Sequence, residues 1–393
     1  MTPFGVYVHF PYCTTRCPYC DFAVHVRRRI PHERYAAFVA RELDERLAWF
    51  PGRVANTAYF GGGTPGLWRP DQLGVVLAAI RELYRLPGDA EVTVEINPGE
   101  TNEEHLAALR SIGVNRLSIG AQSFDDRSLA VLGRTHDAKV AKNAVVAARR
   151  AGFENISVDL MFGLPQQGRA ALDRELEALL ALDTEHLSLY SLTIEPRTAF
   201  ATLVRDKALV MPDDERQAEL YERARDRLSA AGYVQHEISS WARPGRHAQH
   251  NTLYWRQGEY LGVGASASSL RLIGDGSAMT GERFSNQRSV DRYFAATSSL
   301  VGELAHEGRI ATHETLAPDA LEREAVWLGL RLVEGIERVS HRHRFGHDVL
   351  DVPRTAASVA KLAAAGLLDL DEQKLKLTRR GVLLADRVGE ELL

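Results

Sequence analysis

Cys13, Cys17 and Cys20 are the only cysteines in this chain of 393 residues, and their spacing is C-x3-C-x2-C. A chain that has no other cysteine is not building a disulfide framework. Three thiolates on one short loop can each hold one iron of a [4Fe-4S] cubane, a cluster that ordinarily takes four cysteines. One iron then keeps an open coordination position, which could bind the amino and carboxylate groups of S-adenosylmethionine.

A structural zinc site is the alternative for these thiols, with His9 as the fourth ligand of a Cys3His set. Zinc modules usually pair two C-x2-C knuckles, and this sequence has no second knuckle. His9 also alternates with Val8 and Phe10 in a segment that the pattern predicts to be a strand. The spacing, with Tyr19 directly before the last cysteine, resembles the radical S-adenosylmethionine superfamily and favours the cluster.

Other residues have types suited to a zwitterionic cofactor. Gly62 and Gly63, followed by Thr64, would let a ligand approach the backbone, and exposed N–H groups there could bind an anionic group. A tight turn between a strand and a helix is the alternative. Glu95 lies in an otherwise apolar strand, which suggests a counter-charge for an ammonium group. A buried pair with Arg116 is the structural alternative.

Three further polar residues extend this set. Gln122 can both donate and accept, which fits a pair of ribose hydroxyls. Asp159 could accept from the other hydroxyl, and Arg134 could hold a carboxylate. These assignments depend on a shared position in the fold, because each residue type alone has many other uses.

His250 is the most informative histidine outside the cysteine loop. It precedes Asn251 and lies near Tyr254 and Trp255, in a segment with neither a clear helical nor a clear strand pattern. Histidine is a common axial ligand of haem iron, and flat aromatic side chains suit a macrocycle. A structural hydrogen-bonding role is the alternative for a lone histidine.

The elements that must position these residues follow an α/β rhythm up to about residue 195. Short runs of β-forming residues alternate with longer helical patterns. The predicted strands are Val6–Phe10, Thr57–Phe60, Val92–Ile96, Arg116–Ile119, Ile156–Leu160 and Leu187–Leu192. Six such repeats predict a parallel sheet in an incomplete (β/α)6 barrel. The motifs then all fall at the carboxyl ends of strands, where parallel α/β folds carry their chemistry.

The rest of the chain predicts two smaller parts. Residues 1–195 form the barrel, and residues 196–310 form an irregular α+β extension with a segment for haem or substrate. Residues 311–393 form a winged-helix-like module of helices followed by a hairpin. Such a module could bind DNA, but capping the barrel mouth is its commoner use, and we expect no nucleic acid partner.

Composition is ordinary for a globular protein, with 45% hydrophobic and 25% charged residues and a net charge of −4. No overall field favours nucleic acid or an anionic membrane. The exposed-looking triplet Arg27-Arg28-Arg29 suggests a solvated loop or a clamp for carboxylates. The sequence shows no signal peptide and no stretch of about eighteen apolar residues, so we expect no membrane span and a cytoplasmic location.

Several motifs resemble the oxygen-independent coproporphyrinogen III dehydrogenase group of the radical S-adenosylmethionine superfamily, over essentially the whole chain. They are the cysteine segment, the GGGTP turn, Glu95, GAQSF and DLMFGLP. The resemblance implies a [4Fe-4S] cluster on the three cysteines. It also implies that the residues binding S-adenosylmethionine are Tyr7, Tyr19, Gly62, Gly63, Thr64, Glu95, Gln122, Arg134 and Asp159.

Two features depart from the dehydrogenases proper. They carry a further cysteine two positions after the third, where this chain has Phe22, and they have a longer segment before the first strand. With the His250-Asn251-x-x-Tyr254-Trp255 signature, these features are similar to the HemW-like branch, whose members bind haem and are regarded as haem chaperones. The resemblance therefore implies haem as cargo, a haem-acceptor protein, and an electron donor such as flavodoxin or ferredoxin.

Two other functions stay open at this point. One is an enzyme that decarboxylates coproporphyrinogen III oxidatively to protoporphyrinogen IX. The other is a radical enzyme with an unrelated substrate, since a fold alone does not fix function. The sequence does not reveal the acceptor, the oligomeric state, whether haem is covalently bound, or whether S-adenosylmethionine is cleaved.

Overall fold

The computed structural model of this protein describes residues 3–296 and 308–392. Its strands, in chain order, are β1 (Phe4–Phe10), β2 (Tyr12–Cys13), β3 (His25–Val26), β4 (Thr57–Gly62), β5 (Glu91–Ile96), β6 (Arg116–Gln122), β7 (Ile156–Phe162), β8 (His186–Ser191), β9 (Val234–Glu237), β10 (Ser240–Ala242), β11 (Glu259–Val263), β12 (Ser268–Ile273), β13 (Thr280–Asn286), β14 (Ile310–Leu316), β15 (Ile336–Glu337), β16 (Leu368–Leu370) and β17 (Lys374–Leu377).

The helices alternate with the strands in the first half of the chain. They are α1 (His32–Arg46), α2 (Pro70–Leu83), α3 (Glu103–Ser111), α4 (Asp126–Val131), α5 (Ala138–Arg150), α6 (Arg169–Leu180), α7 (Ala199–Arg205), α8 (Asp214–Ala230), α9 (Gln249–Trp255), α10 (Val290–Ala295), α11 (Pro318–Gly329), α12 (Arg338–Phe345), α13 (Pro353–Ala364), α14 (Arg379–Val382) and α15 (Ala385–Leu392).

One large sheet runs through the molecule in the order β14-β13-β12-β11-β1-β4-β5-β6-β7-β8-β10-β9. Neighbouring strands are parallel from β11 to β8, and the outer strands pair antiparallel. This order confirms the α/β class and the six predicted strands, in a sheet that runs linearly. We call the side where β1 and β4 to β8 end the carboxyl edge, and the side where they begin the amino edge.

Local sequence explains where several helices begin and end. The Asn102 side chain accepts a hydrogen bond from the His105 N–H and so caps α3, and Asp125 caps α4 in the same way. Gly113 and Gly152 follow α3 and α5 with φ angles of 101° and 87°, which are left-handed conformations that favour glycine. These caps hold the helices at fixed lengths against the sheet.

In the extension that the sequence predicted to be irregular, the described residues 196–296 and 308–310 contain helices and strands and extend the sheet on both sides. Strands β9 and β10 continue it beyond β8, while β11 joins β1 in parallel and carries β12 to β14 with it. Strands from residues 234–286 and 310–316 therefore add to the sheet of the first 195 residues. The three domain boundaries themselves stay a prediction.

The C-terminal residues have a core of their own. Val326, Val349, Val359, Leu375 and Val388 belong to a buried apolar cluster separate from the one that packs around the large sheet. The predicted hairpin forms as β16 and β17, with β15 beside it. The sequence of this module also predicts a short helix at 347–350, but these residues form turns in the structure. Helix α12 lies just before them and ends at Gly346, which has a left-handed conformation. No helix among residues 3–296 and 308–392 is long and apolar enough to cross a membrane.

Candidate functional site

The cysteine loop leaves the carboxyl edge directly after β1. Its start and end are tied together, because β2 pairs in parallel with β3 and the Arg27 N–H donates to the Cys13 carbonyl at 3.2 Å. The three thiols are free and half-buried. Burial raises the pKa of the Cys13 thiol to about 11 and also raises that of Cys20.

The thiols fit a cluster by their chemistry and placement. All three line one cavity of about 530 Å³ at the carboxyl edge. Among the residues that the structure describes, no three Cys, His, Asp or Glu side chains are grouped closely enough to hold one metal ion. Soft thiolates spread around a cavity suit a multi-iron cluster, in which each thiolate takes its own iron.

The glycine turn lies against the same loop, but its N–H groups are already used. Gly62 N–H donates to Glu95 Oε2 at 3.0 Å, Gly63 N–H to the Phe10 carbonyl at 2.7 Å, and Thr64 N–H to the Tyr12 carbonyl. The expectation of exposed N–H groups that bind an anion is therefore wrong for this turn. Its glycines are needed for close packing, because a Cβ on Gly62 would lie 2.5 Å from the His9 ring.

Glu95 is held by two donors at the end of β5. Tyr59 Oη donates to Oε1 at 2.8 Å and Gly62 N–H donates to Oε2. Burial nevertheless raises the pKa of this carboxyl to about 7, and the nearby charge of Arg116 offsets only part of that rise. Glu95 is thus poised to gain from a cation placed beside it.

Asp159 lies on β7 and accepts hydrogen bonds from Ser118 at 3.2 Å and Ser157 at 3.5 Å. Burial raises the pKa of Asp159 above its usual value. Hydrogen bonds from Ser188 and the other two serines, together with the charge of Arg116, offset only part of that rise. The field of Arg116, whose side chain is almost fully buried, thus acts on both carboxylates of the cavity.

Arg134 connects the cysteine loop to β5 and β6. Its guanidinium donates to Cys17 Sγ at 3.5 Å, to Asn97 Oδ1 at 2.6 Å and to the Gly120 carbonyl at 2.9 Å. Tyr19 also interacts with Arg134, and its ring packs on Phe200 at 6.1 Å. This places one fixed positive charge directly beside a cysteine of the loop.

Gln122 ends β6 in an unusual backbone conformation. Its φ is 66°, and the pairing of β6 with β7 shifts register between Ile119 and Gln122. A side chain other than glycine in this region is strained and needs surrounding structure to hold it there. The bend directs the end of β6 into the cavity wall, to which Gln122 contributes.

Most of the expected residues thus meet at one cavity. Its walls include the following predicted residues: Cys13, Cys17, Tyr19, Cys20, Gly62, Gly63, Thr64, Glu95, Gln122, Arg134 and Asp159. Sequence reasoning missed Asn97, Ser118 and Tyr190, which also line it. Their positions near the ends of predicted strands were the signal that could have found them.

Tyr7 is the exception. It lines a different cavity of about 400 Å³ with Tyr254, Trp255 and Tyr260. Its hydroxyl lies 3.1 Å from His9 Nδ1, and its ring lies beside that of Tyr59. Burial and the nearby charge of Glu95 raise the pKa of the Tyr7 hydroxyl, so Tyr7 lies close to the cofactor cavity without lining it. Its direct contact with S-adenosylmethionine stays a prediction.

His250 does not present a free nitrogen. It lies on α9 and is fully buried, with Nδ1 at 2.7 Å from Thr57 Oγ1 and Nε2 at 2.8 Å from Tyr254 Oη. Burial lowers its pKa to about 3, so the ring is neutral. Its face stacks on Tyr59 at 5.2 Å between centroids. The position corrects the expectation of an irregular segment, and iron could reach this ring only after its hydrogen-bond partners moved.

Comparison with known proteins agrees with this architecture. The Radical SAM superfamily model matches residues 7–179, and the HemN C-terminal domain model matches residues 316–384. The heme chaperone HemW of Bacillus subtilis (strain 168) is 35% identical over 386 residues, covering 98% of this chain and 97% of that protein. The heme chaperone HemW of Escherichia coli (strain K12) is 39% identical over 277 residues, covering 70% and 72% of the two chains.

One solved structure matches over the whole length. Coproporphyrinogen III oxidase (HemN) from Escherichia coli, described as a radical SAM enzyme, has a TM-score of 0.81 and 24% identity, and covers 100% of this chain and 90% of that chain. Fold and matches together define a radical SAM protein with a HemN-type C-terminal domain. Within that class, the chain belongs to the heme chaperone HemW family.

Proposed function

We propose that this protein binds haem and passes it to an acceptor protein, and that it holds a [4Fe-4S] cluster and S-adenosylmethionine at the carboxyl edge. The observation that carries the proposal is the similarity to heme chaperones over 98% of the chain. The cavity that joins three thiols to two buried carboxylates and an arginine supports it.

Cys13, Cys17 and Cys20 would hold the cluster, which supplies one-electron chemistry when it is bound. Arg134 lies against Cys17 Sγ, so it would offset the negative charge that three thiolates bring to the loop. Thr64 Oγ1 donates to Cys13 Sγ at 3.5 Å and would stabilise the Cys13 thiolate.

S-adenosylmethionine is a zwitterion with an additional sulfonium charge, and the cavity offers matching groups. Glu95 would accept from its ammonium group, and Arg134 would donate to its carboxylate. Gln122 and Asp159 would hold the ribose hydroxyls, with Tyr19, Gly62, Gly63 and Thr64 as the surrounding walls. The raised pKa of Glu95 supports this assignment, because an ammonium group would restore the charged form that burial disfavours.

A larger adjoining cavity supports a place for haem. It has a volume of about 810 Å³ and shares Tyr190, Ser191 and Thr193 with the cofactor cavity. Its walls are largely apolar and include Arg331, Arg380 and Arg387 along with Asp214, Glu215 and Asp386. A flat apolar macrocycle with two carboxylates suits such walls, and the volume lies in the usual range for ligand sites. We propose that haem binds here rather than on His250.

The test uses reconstituted protein under anaerobic conditions. Haem is added with and without S-adenosylmethionine, and binding is followed by the haem spectrum and by transfer to an apo-haemoprotein. We expect saturable binding and transfer. A protein that takes up no haem beyond the level of an unrelated protein contradicts the proposal.

A matched pair of variants tests the site. Tyr190 is 41% exposed and faces both cavities, so Tyr190→Glu should weaken haem binding roughly tenfold, as expected for losing an aromatic contact worth more than 1 kcal/mol. Val210→Glu changes another exposed apolar residue that lines neither cavity and should leave haem binding unchanged. Equal haem affinities for the two variants would show that haem does not bind in this cavity.

The same sample tests the alternative enzyme. Coproporphyrinogen III and a reductant are added, and protoporphyrinogen IX is measured. We expect no turnover, because this chain has Phe22 at the position where the dehydrogenases proper carry a further cysteine. Sustained turnover would replace the chaperone proposal with oxidative decarboxylation.

A further inference from the structure

The cysteine loop carries an exposed face that begins at the rim of the cofactor cavity, where Phe22 and Arg16 lie, and continues beyond it to Val26 and residues 27–29. Phe22 and Val26 are 67% and 52% exposed, which is unusual for large apolar side chains. Phe22 follows Cys20 by two positions, and Val26 pairs with Cys13 across β2 and β3. These apolar side chains therefore lie within the same short loop as the thiols.

Six arginines lie in the cysteine loop, directly after it, or in contact with its residues. Arg16 donates to the Cys20 carbonyl at 3.4 Å, Arg288 donates to the Asp21 carbonyl at 3.5 Å, and Arg197 lies 3.9 Å from the Asp21 carboxylate. The triplet 27–29 directly follows Val26 and is exposed. We call this set the cluster-loop face; its residues are Arg16, Phe22, Val26, Arg27, Arg28, Arg29, Arg197 and Arg288.

The charge of this face opposes that of the whole protein. Asp21, Glu100 and Asp291 are the carboxylates that contact the loop or its arginines. Six arginines against three carboxylates leave an excess of three positive charges, in a chain whose net charge is −4. Arg28 and Arg29 make no hydrogen bond or ion pair with any other residue in the described parts of the chain. Their charge is free to act on a partner.

We propose that the cluster-loop face is the docking surface for a small acidic protein that donates one electron. The inference rests on the proposed cluster and names the partner of that site. Phe22 and Val26 form the apolar centre, and the arginines form a charged rim, which is the usual layout of a transient interface. Redox encounters bury little area and depend on charge for speed, so an arginine rim suits them.

With the cluster held by Cys13, Cys17 and Cys20, the reduced partner would lose one electron and the cluster would take it up. No bond is made or broken, and the partner leaves oxidised by one electron. The protein's contribution is to hold the partner over the half-buried thiols of the loop. An oppositely charged surface raises the rate of such an encounter by about 10 to 1,000-fold at low ionic strength.

The test compares two double variants with the same change in net charge. Arg28→Glu with Arg29→Glu reverses the rim. Arg85→Glu with Arg246→Glu reverses two exposed arginines beside the amino edge. Arg85 follows Tyr84, whose carbonyl accepts from the Ala55 N–H just before β4, and Arg246 N–H donates to the carbonyl of Arg243, whose own N–H donates to Glu185 just before β8. Binding of flavodoxin is measured by calorimetry, with cluster-free and reconstituted protein, at low and high salt. Cluster reduction is then timed with reduced flavodoxin and, separately, with dithionite.

We expect the rim variant to bind flavodoxin at least about tenfold more weakly at low salt, with a flatter salt dependence, and to be reduced more slowly by flavodoxin alone. Dithionite reduction, iron content and haem binding should match the wild type. Phe22→Ser should weaken flavodoxin binding to a similar extent at both salt concentrations, because its contact is apolar.

Three results would overturn the docking proposal. The first is equal flavodoxin binding by the rim variant and the wild type. The second is a loss of haem binding with flavodoxin binding intact, which would assign the face to haem. The third is slower reduction by dithionite as well, which would assign the arginines to cluster assembly. If the wild type binds no haem while the flavodoxin effects hold, the chaperone proposal fails and the docking surface stands.

Discussion

The two ends of the parallel strands use polar residues in opposite ways. At the carboxyl edge, Glu95, Gln122, Arg134 and Asp159 line an open cavity. At the amino edge, Glu91, Arg116, His186 and His250 are buried, and residues 234–255 cover them. The first set faces a space for ligands, while the second set is packed inside the protein at the covered ends of the strands.

Specific contacts show how the amino edge is closed. Glu91 accepts from the N–H groups of Gln249 and His250 at 3.0 Å, which caps α9 against the start of β5. Thr57 holds the other side of the His250 ring, and His186 lies near His236 with ring centroids 5.3 Å apart. The lesson is that a polar residue in a strand marks a ligand site only when its own end of the strand faces an open cavity.

The largest expected effect is the loss of the cluster at the carboxyl edge, with the amino edge and the fold unchanged. Cys17→Ala should remove nearly all cluster iron and sulfide after reconstitution, because two thiolates hold a cubane poorly. The fold should survive, since the Cys17 thiol is half-buried and its Arg134 contact is long. Iron content measures the loss of the cluster, and thermal unfolding of the apo-protein measures whether the fold is retained. Thr15→Ala, in the same exposed loop, is the control and should keep its iron; iron retained by Cys17→Ala would remove that residue from the ligand set.

The next largest effect concerns stability and comes from the closed end. Arg116→Met removes the buried cation whose charge lowers the pKa of both Glu95 and Asp159. We expect unfolding to cost roughly 3 kcal/mol less at pH 8, because buried carboxylates are left without a compensating charge. The loss should shrink at pH 5, where those carboxylates can take up protons. Urea unfolding measures it, with exposed Arg246→Met as the control; equal loss at both pH values would show that packing, not charge, is responsible.

Local sequence predicted the parallel strands well, because each is a short run of β-branched and aromatic residues between capped helices. It could not predict that β11 would join β1 or that β10 would join β8, since these pairings connect residues 255 and 54 positions apart along the chain, as in Phe4 with Glu259 and Leu187 with Trp241. The periodic pattern of apolar residues predicts that a strand forms, but it does not show which distant strand will pair with it. The stretch from 236 to 286, which is ordered in the structure, therefore has a sequence typical of irregular structure.

The same reason divides the site residues. Glu95 and Asp159 end up in the cavity because the carboxyl ends of parallel strands meet at one edge, which follows from topology alone. The hydrogen-bond partners of a side chain or N–H group depend on tertiary contacts, which the sequence does not show. Two predictions of such partners therefore differ from the structure. The N–H groups of the glycine turn bond to Glu95 and to two carbonyls, and His250 turns inward between Thr57 and Tyr254.

A smaller effect should appear in the pH dependence of S-adenosylmethionine binding. Burial raises the pKa of Glu95 to about 7, so below that pH the carboxyl must lose a proton before it can hold an ammonium group. Affinity should fall by up to about tenfold per pH unit below 7. Since the folded pKa is raised, this group favours folding of the empty protein below about pH 4.5, and that contribution is lost as the pH rises through about 7.

Glu95→Gln isolates this effect. The variant should bind S-adenosylmethionine about 10 to 100 times more weakly at pH 8, the cost of losing one hydrogen bond to a charged group. Its affinity should also change little between pH 6 and pH 8. Calorimetric titration at several pH values measures both, with Glu103→Gln on the exposed first turn of α3 as the control. An unchanged pH profile would assign the ammonium group to another residue.

The smallest effect tests whether the two ends communicate. Tyr59 donates to Glu95 and stacks on His250, so it joins the cofactor cavity to the closed edge. Tyr59→Phe should weaken S-adenosylmethionine binding about fivefold, near 1 kcal/mol, and move its pH dependence upward, because the lost hydrogen bond had lowered the pKa of Glu95. Tyr84→Phe is the matched control, since its buried hydroxyl donates to the Leu43 carbonyl at 2.8 Å, away from the cavity. Equal affinities and pH profiles for the two variants would mean that the closed edge supports the fold without tuning the cofactor site.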